Sequence, residues 1–140
     1  MPFLNSLFRA VRKIHRRPRA HPRLMLCEPV RFQTPRAAAQ AALLEDISSG
    51  GACIRTHLRL REGDAITLLL SLNSGLRLAL KAAVVHCERE PGGYQSRCGL
   101  RFVGQERAQL DRIARFVIEQ KLGRQIGVRS IATDRGAIVG

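Results

Sequence analysis

Two short stretches of the chain hold residues whose types and spacing suit a small polar pocket. The first is Leu43-Leu44-Glu45-Asp46-Ile47-Ser48-Ser49-Gly50-Gly51-Ala52-Cys53-Ile54-Arg55-Thr56. Its apolar ends read as strands, with Asp46, Ser48 and the two glycines forming a tight polar turn between them. A carboxylate, a hydroxyl and an open backbone so close together can floor a pocket. The same residue types also build plain hairpin turns by bonding their own backbone. The second stretch is Arg16-Arg17-Pro18-Arg19-Ala20-His21-Pro22-Arg23, a basic run leading straight into Leu24-Met25-Leu26-Cys27, a first strand. Its guanidinium groups carry planar forks of donors that match paired acceptors such as phosphate oxygens, which a lysine cannot do.

Taken in order, the two stretches give Arg-x-x-x-Arg at Arg19 and Arg23, then Asp-x-Ser-x-x-Gly at Asp46, Ser48 and Gly51. The gap between them holds one strand, a turn near Pro35 and a second strand. This ordered pair resembles the signature of PilZ domains, the bacterial receptors for cyclic di-GMP, over roughly Arg17 to Leu122. The resemblance implies that Arg19 and Arg23 take phosphate and the O6/N7 edge of guanine, and that Asp46 accepts from the N1/N2 edge. It further implies that Ser48 adds a hydroxyl to guanine or phosphate, and that Gly51 lets the ligand approach the backbone. The residue types suit these roles. Arg16, Arg17 and Gly50 are further candidates beside them. Arg12 and Arg16 repeat the same spacing, but Arg23 abuts the first strand as the family pattern has it.

The fold that the resemblance implies is a six-stranded antiparallel β-barrel with a C-terminal helix. The implied activity is that of a cyclic di-GMP receptor, not an enzyme. Such a receptor would pass the second-messenger level to a protein partner through rearrangement of the arginine arm. Two alternatives are a PilZ-like adaptor that binds proteins without the nucleotide, and a basic nucleic-acid-binding protein. The first is opposed by the presence of both arginines, Asp46, Ser48 and Gly51. The second is opposed by the shortage of stacking platforms, one Tyr and five Phe, several of them in core patterns.

The elements that must position these residues can be read from periodicity. Phe3, Leu4, Leu7, Phe8, Val11 and Ile14 recur at helical spacing with Arg9, Arg12, Lys13 and Arg16 on other faces, a short basic amphipathic helix within an arm over 1–16. That helix either docks on its own domain or a second copy, or contacts an anionic membrane surface. Pro18 and Pro22 hold the arginine run extended. Leu24 to Phe32 is a first strand and Thr34-Pro35-Arg36 a turn. Ala37 to Ala42 has helical propensity, yet its end is expected as strand because it runs into Leu43, Leu44 and Ile47.

Cys53 to Thr56 returns as a third strand, and Arg61 to Asp64 turns. Ile66, Leu68, Leu70 and Leu72 alternate before Asn73-Ser74-Gly75, and Leu76, Leu78, Leu80 and Ala82 alternate after it, so the two sets face each other. A second hairpin centred on Gly92-Gly93 pairs Glu88 with Arg97, Cys87 with Cys98 and Val85 with Leu100. Its inward set is odd-numbered while the preceding set is even, so a bulge is expected near Ala82-Ala83-Val84. From Gln105 the period turns helical, with Leu110, Ile113, Ala114, Val117 and Ile118 on one face and Gly123 as the stop. Residues 17–123 then form the domain, and 124–140, without steady period, a loose tail.

The 140-residue length suits one domain. The net charge of +13 is uneven: residues 1–36 carry nine Lys or Arg against one acid, Glu28. Such a field attracts polyanions without choosing among them. Cys27, Cys53, Cys87 and Cys98 lack Cys-x-x-Cys or paired-His spacing, which argues against zinc and for reduced thiols in a cytoplasmic protein. No apolar run is long enough to span a membrane, and Asn5, Ser6 and Arg9 interrupt any signal-peptide core. His15, His21, His57 and His86 are scattered, and no phosphate loop occurs, so an enzyme is not expected. The monomer and the homodimer are both left open.

Overall fold

The computed structural model describes residues 21–92 and 95–139, with side chains described as far as Gln125. The expected N-terminal helix, Arg12, Arg16, Arg17, Arg19 and the Gly93-Tyr94 pair at the tip of the second hairpin lie outside the described residues. Six strands follow one another: β1 Leu24–Gln33, β2 Gln40–Ile47, β3 Gly51–Thr56, β4 Ala65–Ser71, β5 Arg77–Arg89 and β6 Ser96–Phe102. One helix, α1, spans Arg107–Val139. The strands close into a barrel in the order β1-β2-β3-β6-β5-β4, all neighbours antiparallel. Closure leaves no sheet edge open.

Each strand sends alternate residues inward, so Phe32, Leu44, Ile54, Leu68 and Leu80 meet fully buried in one core. The β1–β2 turn is built by Thr34, whose Oγ1 accepts from Ala37 N at 2.9 Å and Arg36 N at 3.2 Å. The end of the alanine-rich stretch is strand from Gln40, as expected: β1 and β3 flank it and satisfy its backbone on both sides. The first hairpin has the expected register, with Leu68 opposite Leu80, Leu70 opposite Leu78, and Leu72 N bonded to Leu76 O at 2.9 Å. Gly75 takes the left-handed conformation that closes this three-residue loop, at φ 102°.

The second hairpin places Cys87 opposite Cys98 and Glu88 opposite Arg97. Its bulge falls later than expected. Val84, 2% exposed, continues the inward even-numbered set and pairs with Leu100, whereas Val85 is the extra residue, turned outward at 48% exposure. The expected Val85–Leu100 pairing is therefore corrected by one residue.

Helix α1 also differs in two respects. Among its described residues the buried side chains are Ile113, Phe116 and Val117, while Ile118 is half exposed. At about 100° per residue, Ile118 lies roughly 140° around the helix from Ile113, too far to share its face. The helix also passes through Gly123 and continues to Val139. The glycine that breaks direction at a left-handed φ is Gly104, just before the helix, at φ 64°. No described helix is long and apolar enough to cross a membrane.

Candidate functional site

The corner where β1 begins and β2 turns into β3 brings together every described residue of the two sequence motifs. Two irregularities in the ladders shape it. In the β2–β3 pair the register shifts between Leu44 and Asp46, so Glu45 is the extra residue. Leu44 and Ile47 both remain buried at 0% exposure, three positions apart instead of two. The bulge thereby turns two consecutive carboxylates, Glu45 and Asp46, away from the core. A second shift, in β1 between Met25 and Glu28, lies directly opposite.

Arg23 reaches across this corner. Its Nη1 lies 3.4 Å from Asp46 Oδ2, a long single contact, with side-chain exposures of 32% and 12%. Among the described residues the contact engages one of the five guanidinium donors. Asp46 therefore bonds a side chain from the segment that enters β1.

Ser48 behaves differently. Its N donates to Gly51 O at 2.8 Å, its Oγ donates to Gly51 O at 3.4 Å, and that Oγ accepts from Gly50 N at 3.2 Å. Ser48 thus holds the turn closed in the manner of a hydroxyl turn residue. The glycines have separate reasons. A Cβ on Gly51 would overlap the Leu100 carbonyl oxygen across the β3–β6 ladder, so strand contact alone demands glycine there. A Cβ on Gly50 would lie 2.9 Å from His21 Cδ2, because the imidazole sits over the turn.

Beside Asp46 is an ion-pair cluster that motif reading missed. Glu45 Oε1 lies 2.6 Å from Arg55 Nε and Glu45 Oε2 lies 3.0 Å from Arg97 Nε. Arg55 Nη2 also lies 2.9 Å from Glu90 Oε1. Arg55 and Arg97 are cross-strand neighbours, and like charges so placed repel. Glu45 offsets that repulsion by bridging both. The signal for it in sequence was the Glu45-Asp46 pair itself, but the bulge that lets both side chains reach ion-pair partners could not be read from spacing. Cys53, opposite Asp46, has its thiol pushed up to about 11, first by burial and then by the Asp46 and Glu45 carboxylates.

On the other side of the turn, a cavity of about 740 Å³ lies between His21, Ser49, Gly50, Arg101 and the first turns of α1 at Arg107 and Asp111. A second cavity, of about 500 Å³, lies at the opposite end of β2 around Thr34, Arg36, Arg59 and Asp64, remote from both motifs. Among the described residues no cluster of His, Cys, Asp or Glu could hold a metal ion.

The sequence that builds this barrel and carries both motifs matches the PilZ domain model over residues 17–119. The chain belongs to the PilZ domain family. PilZ proteins supply its structural likenesses as well. YcgR from Escherichia coli in complex with c-di-GMP has 17% identity and a TM-score of 0.66, covering 82% of this chain and 51% of that one. The isolated PilZ domain of the same protein, with c-di-GMP, has 17% identity and a TM-score of 0.58, covering 79% and 98%. The K. pneumonia MrkH–c-di-GMP complex has 15% identity and a TM-score of 0.65, covering 79% and 56%. The chain thus spans about half the length of full YcgR and MrkH. No curated protein sequence matched.

Proposed function

We propose that this PilZ domain is a receptor for cyclic di-GMP, acting in the cytoplasm and passing ligand occupancy to a protein partner. The observation that carries the reading is the meeting of Arg23 and Asp46 beside the Ser48–Gly51 turn. A fork of donors and a carboxylate acceptor side by side match the two hydrogen-bonding edges of guanine. In this reading Arg23 takes phosphate or the O6/N7 edge, and Asp46 takes the N1-H and exocyclic amine. Ser48 contributes chiefly by holding the turn, its hydroxyl retaining an acceptor lone pair. Gly50 and Gly51 keep the turn free of side chains. Arg19, with Arg16 and Arg17 nearby, closes over the ligand from the arm, and that rearrangement is the signal the partner reads. The bound c-di-GMP of the YcgR and MrkH structures supports the choice of ligand.

Calorimetric titration of the full chain with cyclic di-GMP is the direct test. Saturable binding, weaker for cyclic di-AMP, is expected. An absence of binding at tens of micromolar would leave the chain as an adaptor that uses the PilZ scaffold without the nucleotide.

A further inference from the structure

Helix α1 carries an apolar stripe that the barrel does not cover. Leu110 and Ala114 are half-buried, and Ile118 and Leu122 are 50% and 52% exposed. The four recur every fourth residue and form one ridge that starts beside the buried Ile113–Val117 face at Leu110 and winds about 40° further around the helix at each step, so a helix seated on it crosses α1 obliquely. Two of them, Leu110 and Ala114, line the same cavity as His21. His21 is the residue from which residues 1–20 lead away, so that segment begins at one end of the stripe.

We propose that the N-terminal segment over residues 3–14 docks as an antiparallel helix along Leu110, Ala114, Ile118 and Leu122. The lengths agree: twelve residues of helix rise about 18 Å, and Leu110 to Leu122 spans about the same distance. Residues 15–20 supply a tether of up to roughly 20 Å, enough to turn the chain back from His21. The pattern agrees as well. Running backwards from the tether, Ile14, Val11, Leu7 with Phe8, and Phe3 with Leu4 fall in step with Leu110, Ala114, Ile118 and Leu122. Arg9, Arg12, Lys13 and Arg16 then remain in water. Four side chains make too small a face for a stable dimer, which buries about 1,200 Å² or more in total. A segment tethered at one end of the stripe has an effective concentration near the millimolar range, so it needs little area to stay bound. The inference is independent of the nucleotide and concerns the chain without it.

The test uses the full chain in nucleotide-free buffer, with thermal melting of Leu7→Asp, Ile118→Asp and the double variant. On a bare helix surface, Ile118→Asp would be nearly neutral. Docking instead predicts that each single change lowers the melting temperature by about 5 °C. The double variant should melt close to either single one, since both remove one contact. Leu7→Lys combined with Ile118→Asp should recover part of the loss. A neutral Ile118→Asp, or strictly additive effects, would overturn the proposal. So would coupling seen only at concentrations where sedimentation shows a dimer. Loss of binding to phosphatidylglycerol vesicles by Leu7→Asp at an unchanged melting temperature would assign the segment to a membrane surface instead.

Discussion

Arg23 Nη1 and Asp46 Oδ2, 23 residues apart in sequence, lie 3.4 Å apart where the chain enters β1. Because that contact is long and single, either partner can exchange it for a better-aligned ligand group at small cost. Truncating an arginine that makes charge-assisted hydrogen bonds costs about 1.5–3 kcal/mol, or roughly 10- to 150-fold in affinity. Arg23→Ala is therefore expected to weaken cyclic di-GMP binding by that factor, and Asp46→Ala by a similar one. Asp46→Ala should in addition reduce discrimination against cyclic di-AMP, as calorimetry with both ligands would read. Arg12→Ala is the control: if it matches Arg23→Ala and both effects vanish at high salt, bulk charge and not a pocket holds the ligand.

Gly51 and Gly50 should separate in stability. Gly51→Ala drives a methyl group into the Leu100 carbonyl across a ladder whose backbone has nowhere to retreat. A loss of about 3 kcal/mol is expected by denaturant titration, at the upper end of what overpacking costs. Gly50→Ala need only displace the His21 ring. Its cost should stay within about 0.5 kcal/mol, as for an ordinary surface change.

Removing the bridge between like charges should be felt by both of them. Glu45→Ala leaves Arg55 opposite Arg97 with no shared carboxylate. With all three side chains partly exposed, a loss of about 1 kcal/mol is expected, shrinking as salt is added. Arg97→Ala in the Glu45→Ala background should regain part of it, which a double-mutant cycle would show.

The thiols of Cys87 and Cys98 face each other across β5 and β6 with Sγ atoms 2.7 Å apart. Treatment with diamide, which accepts two electrons and two protons, should join them and lower the intact mass by about 2 Da. The linkage should appear on the Cys87–Cys98 peptide pair. Recovery of Cys27 or Cys53 linkages in its place would contradict the pairing.

Cys53 offers a pH test. Its folded pKa of about 11 lies above the ordinary thiol value of 9.0, so unfolding at high pH releases a proton. The contribution is present below pH 9 and is lost as pH rises toward 11. Alkylation of the native protein near pH 8 should label exposed Cys27 well before Cys53. Cys53→Ala should flatten the fall in stability between pH 9 and pH 11.

Local pattern was enough to predict most of this barrel. Alternating apolar residues with turn glycines set the register of both hairpins, because a strand side chain has only two directions and a one-residue slip buries the wrong set. Motif order alone assigned Arg23 and Asp46 to one pocket, but their contact with each other came from the fold. The tertiary structure decided what depends on contacts distant in sequence. The seam of Phe32 with Leu68 closes the barrel, and no local period encodes it. The bulges at Glu45 and Val85 follow from fitting strands around that closed circumference, so their positions were not legible from spacing. The reason for Gly51 lies in the Leu100 carbonyl, on a strand that only the fold brings alongside. Likewise, the helix does not end at Gly123, since a glycine stops a helix only where the chain turns left-handed, and here it does not.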